Sequence, residues 1–298
     1  MVSLSYNELP GSVRKIYPWP GADHEVAPGV NQHYVDVGEG DPVLMVHGNP
    51  TWSFYYRNLI HGLSDRYRCI AVDHVGCGLS SKPADYEYRL ENHVSNLVTL
   101  IEKLDLTNIT LVVHDWGGAI GLGAACRVPE RIKQLVIFNT GVFDGPLPAS
   151  IRVCRLPLIG DVVIRRFNGF LGTGLIRAIA DKKRLRNGVE DGFRAPYKSY
   201  ADRITHLRFV QDIPLEDSHP TRELFLSIGE DMKQFADRPS LMVWGEQDFC
   251  FTTFYRDEFK KRLPNIESHG FADSDHWVIE DAHERIIPLM REFLERNA

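Results

Sequence analysis

The chain has 298 residues, 43% apolar and 25% charged, enough to bury a large core and unlike a disordered composition. Its net charge of −6 argues against nucleic acid as the main partner. No apolar run approaches the ~20 residues of a membrane span, and residues 1–19 hold no apolar secretion segment. The five cysteines (69, 77, 126, 154, 250) are odd in number, scattered and without a CxxC pair, and read as reduced thiols of a cytoplasmic protein. The histidines lack metal spacing such as HExxH, so neither a metal nor an organic cofactor is expected.

In chain order, residues 32–37 and 42–47 read as strands, 52–63 as a helix, and 68–73 as a strand followed by a glycine-rich turn at 76–80. A helix is predicted over 89–104, where Leu90, Val94, Leu97, Val98 and Ile101 recur at helical spacing. Strand 109–114 leads into a helix of small residues at 117–127, stopped by Pro129, and strand 135–139 follows. Strands alternating with helices imply a mainly parallel sheet covered on both faces. The rhythm breaks at about residue 144. From there to about 217 the chain reads as helical and arginine-rich, with 13 Lys/Arg against 7 Asp/Glu between 144 and 215. It resumes with strand 240–245, a helix at 253–263, a strand near 267–271 and a last helix at 280–296. The expected organisation is an α/β core from 1–143 and 218–298, with a helical cap from 144–217. Such a cap would sit over the carboxyl ends of the strands, where open α/β sheets bind ligands.

Three titratable residues fall at three strand ends. Asp115 lies in Val-Val-His-Asp-Trp-Gly-Gly (112–118), where a strand turns sharply into a helix between small neighbours; it is either a nucleophile on an elbow or a helix N-cap. Asp248, in Val-Trp-Gly-Glu-Gln-Asp-Phe, is either a turn aspartate or a partner that orients an imidazole. His276, in Asp-Ser-Asp-His-Trp-Val, is either a surface-loop histidine or a general base. The order nucleophile, acid, histidine favours the catalytic reading of all three. The tight loop His47-Gly48-Asn49-Pro50 can aim donors at a developing anion; Asn49 adds an amide and Trp116 an indole N–H. The loop Asp73-His74-Val75-Gly76-Cys77-Gly78-Leu79-Ser80 reads as structural.

With HGNPTWSFYYR (47–57), DHVGCGLSSKP (73–83), VVHDWGGAIGL (112–122), WGEQD (244–248) and DHW (275–277), the sequence resembles the haloalkane dehalogenases of the α/β-hydrolase superfamily over nearly all of the chain except the cap. The resemblance implies an α/β-hydrolase fold with a mostly parallel eight-stranded sheet. It also implies Asp115 as nucleophile, His276 as base, and a halide ion held by Asn49 and Trp116. Strand 135–139 ends in Asn139, so the triad acid must be Asp248, and no tryptophan lies in the cap. That combination resembles a third subfamily, similar to the β-lactone decarboxylases of bacterial long-chain olefin biosynthesis.

A carboxylate nucleophile suits displacement at saturated carbon, because it needs no deprotonation. The expected reaction is hydrolysis of a carbon–halogen bond in a small apolar haloalkane through an aspartyl ester. The alternative is decarboxylation of a β-lactone, with Leu156, Leu158, Ile159, Val162, Val163, Phe167, Phe170 and Leu171 lining an acyl tunnel or simply packing the cap. An epoxide hydrolase would instead need Tyr197 and Tyr200 as acids. A fluoroacetate-type enzyme would want Arg where Trp116 stands. A non-catalytic binding protein on the same fold is the reading of another class. The basic cap is either a solvated face or a dock for an acidic partner enzyme or a second copy.

Overall fold

The computed structural model describes residues 4–298; the first three residues of the 1–19 stretch and of the 1–143 core segment lie outside the described residues. Apolar, β-branched runs build the middle of one sheet. Its strands are β1 (Ala22–Ala27), β2 (Val30–Val37), β3 (Pro42–Val46), β4 (Arg68–Val72), β5 (Ile109–Asp115), β6 (Ile132–Thr140), β7 (Ser240–Gly245) and β8 (Glu267–Phe271). They lie in the order β1-β2-β4-β3-β5-β6-β7-β8. β2 runs antiparallel to both β1 and β4, and every pair from β4 to β8 is parallel. β3 and β5 are buried along their whole length, which is why they read as unbroken apolar runs rather than alternating ones.

The α-helices, in chain order, are α1 (Gly11–Ile16), α2 (Arg57–Leu63), α3 (Leu90–Lys103), α4 (Trp116–Arg127), α5 (Ala149–Cys154), α6 (Pro157–Gly160), α7 (Gly169–Arg177), α8 (Val189–Arg194), α9 (Ile204–Gln211), α10 (Arg222–Asp231), α11 (Thr253–Arg262) and α12 (Val278–Arg296). Alternate strand residues serve two apolar layers. Val43, Met45, Val112 and Val243 pack with Ile60 of α2 and Ile286 and Met290 of α12. Leu44, Val46, Val113 and Met242 pack with Leu97 of α3, Ile120 of α4 and Phe259 of α11. The hydrophobic burial on both faces fixes the register, since a one-residue slip would exchange the two layers.

The chain departs from the sequence reading in several places, among them α1 and α10, for which no helix was expected. β1 was not anticipated, because Ala-Asp-His-Glu-Val-Ala buries only His24 and shows no apolar alternation; main-chain pairing with β2 at the sheet edge holds it. The 52–63 helix begins instead as a 3-10 turn, Ser53–Tyr56, before α2. There the Ser53 amide donates to buried Asp73, and all four residues of the turn are buried, so no amphipathic pattern applies. Between β6 and β7 the described residues hold no strand. Residues 144–217 of this connection, referred to below as the insert, form short helices, including a π-helical turn at Asp161–Arg166. Among the described residues no helix is long and apolar enough to cross a membrane.

Candidate active site

Asp115 ends β5 with φ 52° and ψ −129°, a conformation that costs a non-glycine residue energy and that the surrounding structure must hold in place. Two glycines make room for it. A Cβ on Gly48 would sit 2.1 Å from Asp115 Oδ1, and one on Gly117 would sit 1.9 Å from the Val46 carbonyl. The backbone therefore closes tightly around the carboxylate. The Asn49 amide donates to Asp115 Oδ1 at 2.6 Å, and Thr140 Oγ1 donates to the Asp115 carbonyl at 2.5 Å.

The loops after β7 and β8 bring the other two titratable residues to the same place. His276 Nδ1 lies 2.8 Å from Asp248 Oδ2, and its Nε2 lies 3.6 Å from Asp115 Oδ2. The second distance is an ion-pair rather than a hydrogen-bond separation. Asp248 is further fixed by the amides of Cys250 and Phe251 on Oδ1 and by Asn139 Nδ2 on Oδ2. All three side chains are buried. Burial works against the charged imidazole of His276, but the Asp248 and Asp115 carboxylates outweigh it and lift the group to about 10. Burial likewise pushes Asp115 up, and the facing His276, with the Trp116 amide, holds it below the usual carboxylate range. Asp248 is held low against burial by His276 and the two amides. The imidazole thus lies between two carboxylates, an arrangement that favours its protonated form.

A cavity of about 390 Å³ opens above Asp115 and His276. Asn49 and Trp116 line it beside the carboxylate, and its walls are largely apolar, with Phe143, Phe170, Phe249 and Phe251 among them. One hydrogen of the Asn49 amide is already used: Nδ2 donates to the His206 carbonyl at 3.1 Å. A carboxamide carries two, so one remains. The Trp116 ring is braced by Phe209, with centroids 5.2 Å apart.

The structure thus brings four of the five expected residues, Asn49, Asp115, Trp116 and His276, to one cavity, with the fifth, Asp248, behind His276 on its Nδ1. Other expectations do not hold. Of the eight apolar residues considered for a tunnel, only Val163 and Phe170 line the cavity. Leu171 is buried in the core, while Leu156, Leu158, Ile159, Val162 and Phe167 face outward. Pro157 and the π-helical turn break this stretch into pieces, so its apolar residues share no inward face. The tyrosines needed for epoxide opening are also elsewhere. The Tyr197 hydroxyl is buried on the Thr51 carbonyl, and that of Tyr200 reaches Asp161 at the surface.

Sequence reasoning passed over Asn139 once it proved not to be an acid. Its carboxamide donates to Asp248 and to the Gly245 carbonyl and accepts from the Gly245 amide, tying the end of β6 to the loop that carries Asp248. His114 was missed too. Its Nε2 donates to the His276 carbonyl, and its ring lies 4.7 Å from the His276 ring. The signal was its place beside Asp115 on a strand otherwise apolar.

Fold and geometry agree with the wider comparison. Residues 41–283 match the family described as alpha/beta hydrolase fold, and the chain belongs to it. It is 44% identical over 274 residues to a cis-3-alkyl-4-alkyloxetan-2-one decarboxylase of Shewanella oneidensis, covering 89% of this chain and 86% of that one. A protein of the same name from Xanthomonas campestris is 40% identical over 287 residues, covering 92% and 95%. Among solved structures, a haloalkane dehalogenase of Agrobacterium tumefaciens superposes with a TM-score of 0.80 at 28% identity, covering 93% of this chain and 97% of that one.

Proposed function

We propose that the protein decarboxylates a cis-3,4-dialkyl oxetan-2-one, a β-lactone, to an alkene and CO2. What carries this reading is the 44% identity to a decarboxylase of that substrate class over 274 residues. It ranks ahead of the dehalogenation that the sequence motifs alone suggest.

The chemistry needs a carboxylate at the base of an apolar cavity, and Asp115 occupies that place. Its oxygen attacks C4 of the lactone, the ring C–O bond breaks, and the ring carbonyl leaves as a carboxylate on C3. Asp115 is then an alkyl ester. The C3 carboxylate next loses CO2; its bonding electrons form the C3–C4 double bond and expel Asp115 as a free carboxylate. No water is consumed. The protonated His276 offsets negative charge as Asp115 departs, and Asp248 keeps the imidazolium aligned. Inversion at C4 followed by anti elimination converts a cis lactone into a cis alkene. The test is product analysis with a cis-dialkyl β-lactone: cis alkene and CO2 are expected, and a β-hydroxy acid would overturn the proposal.

A second reading, dehalogenation, is favoured by one observation: Asn49 and Trp116 flank the carboxylate at the cavity floor, where a departing anion would sit. There Asp115 would form an alkyl ester, with halide leaving toward those donors. Esterification removes the anion 3.6 Å from His276, so the imidazole pKa falls and the neutral ring can take a proton from water. Products would be alcohol, halide and a proton. In a single turnover in ¹⁸O water the label would enter Asp115 and not the first alcohol; halide release from 1-bromoalkanes without that label pattern would remove this mechanism.

A further inference from the structure

The outward-facing apolar residues of the insert form a surface that the proposed chemistry does not use. Leu158 is 84% exposed, Phe167 75% and Leu156 52%, with Ile159, Val162 and Val163 also open to solvent, all within twelve consecutive residues. The chain breaks there into α6 and the π-helical turn, which pack on α5, α7 and α9, so the segment is anchored from behind. Large apolar side chains clustered in the open mark an interaction site. Two features say what covers it. Its nearby charges are positive: Arg155 and Arg165 are balanced by Glu216 and Asp161, while Arg152 and Arg166 have no carboxylate partner among the described residues. The patch also adjoins the cavity mouth, since Val163 and Arg152 are exposed and line the cavity as well.

We propose that this face docks the protein on an anionic lipid surface, with Leu158 and Phe167 inserted among the acyl chains and Arg152 and Arg166 on the headgroup phosphates. Apolar substrate then passes from the lipid phase past Val163 into the cavity. Separate protruding apolar side chains beside unpaired Arg152 and Arg166 suit a lipid interface, which needs no complementary shape. A protein seated on the same residues would cover the way into the cavity. Docking is independent of the reaction catalysed, so it can fail or hold without deciding between decarboxylation and dehalogenation.

The experiment is co-sedimentation of the full chain with vesicles of phosphatidylcholine alone and of equal parts phosphatidylcholine and phosphatidylglycerol. Binding is expected to the mixed vesicles and to weaken with salt. The exposed double variant Leu158→Ser/Phe167→Ser should lower the partition coefficient by roughly tenfold or more, and Arg166→Ser by about fivefold. Circular dichroism of each variant checks that folding is intact. If the wild-type chain stays in the supernatant with mixed vesicles, or the double variant binds as well as wild type, the proposal is wrong. It is equally wrong if sedimentation velocity shows a wild-type dimer that the double variant dissolves, for then the face joins two copies.

Discussion

The strand ends and the insert solve opposite problems. Around Asp115 every backbone approach is tight: Gly48 and Gly117 have no room for a Cβ, and Asp115 itself is held in a costly conformation. Asp248 accepts four hydrogen bonds, counting His276. The insert over the same cavity is made of short helices, one of them a π-helical turn, with apolar side chains pointing both inward and out. The contrast teaches that close backbone approach and hydrogen bonds hold Asp115 and Asp248 in place at the strand ends, while the insert supplies shape and contact. Changes at strand ends should act on the chemical step, and changes in the insert on which substrate arrives and how well it binds.

The sharpest way to break that division is at Asp115. Asp115→Asn keeps the shape and removes the nucleophile, and should cost roughly 10⁴-fold or more in kcat. CO2 release measures it; a smaller loss would mean that the carboxylate does not react.

Next in size is Asp73, buried at the end of β4. It accepts from the Ser53 and Leu79 amides at 2.7 and 2.9 Å and faces His33 Nδ1 at 3.0 Å. Asp73→Asn should lower stability by roughly 3–5 kcal/mol in urea unfolding, as loss of a buried pair does. Burial works to raise Asp73, but His33, His47 and the Leu79 amide hold it below its ordinary 3.8. Its contribution is therefore present above pH 3.8 and lost as pH falls through the depressed value. His33 is shifted up from 6.5, burial being outweighed by Asp73. Its share is complete below pH 6.5 and lost as pH rises through the raised value. Unfolding midpoints taken across pH should show both limbs in wild type and neither in the Asp73→Asn variant.

Gly48→Ala tests the tight approach directly. The new methyl must displace the Asp115 carboxylate, and a shift of about 1 Å at the reacting atom costs on the order of 10²-fold in kcat. Its unfolding midpoint should move far less than that of Asp73→Asn.

Acid sharpens the choice between reactions. Asp115 is shifted below 3.8 and stays an anion through mildly acid pH. Lactone opening, which needs only that anion, should persist at pH 5. Hydrolysis of an alkyl ester needs neutral His276 and should drop about tenfold per unit below the imidazole pKa of the esterified site. A kcat profile for each substrate separates them.

The smallest effects belong to the insert. Phe170→Ala, on the cavity wall, should raise KM for a long-chain substrate by roughly tenfold or less and leave kcat nearly unchanged. Leu158→Ser, on the outer face, should leave kcat/KM for a short water-soluble substrate unaltered. Equal effects from the two would erase the distinction between inner wall and outer surface.

How far each region could be read from sequence follows the same division. The elbow was legible because its constraints are local: a buried β-run, an acid and two glycines in consecutive positions permit few conformations. Asp248 and His276 were legible because each lies in the short loop after a strand. β1 was not, since its stability comes from pairing with β2 rather than from an apolar pattern. The direction of the insert's side chains was not legible either. Helical periodicity gives a face only where a helix is long enough to have one, and residues 156–167 change helical type partway.

The sequence by itself determined the family, the order of strands and helices through most of the core, and the five residues that cluster at Asp115 and His276, because those depend on short-range pattern and chain order. Only the tertiary structure decided that Asn139 braces Asp248, that His276 sits between two carboxylates, and that five of the eight apolar residues considered for a tunnel face outward without lining the cavity. Those outcomes depend on distances between segments far apart in the chain and on which face packing leaves uncovered, and neither is encoded in spacing along a single stretch.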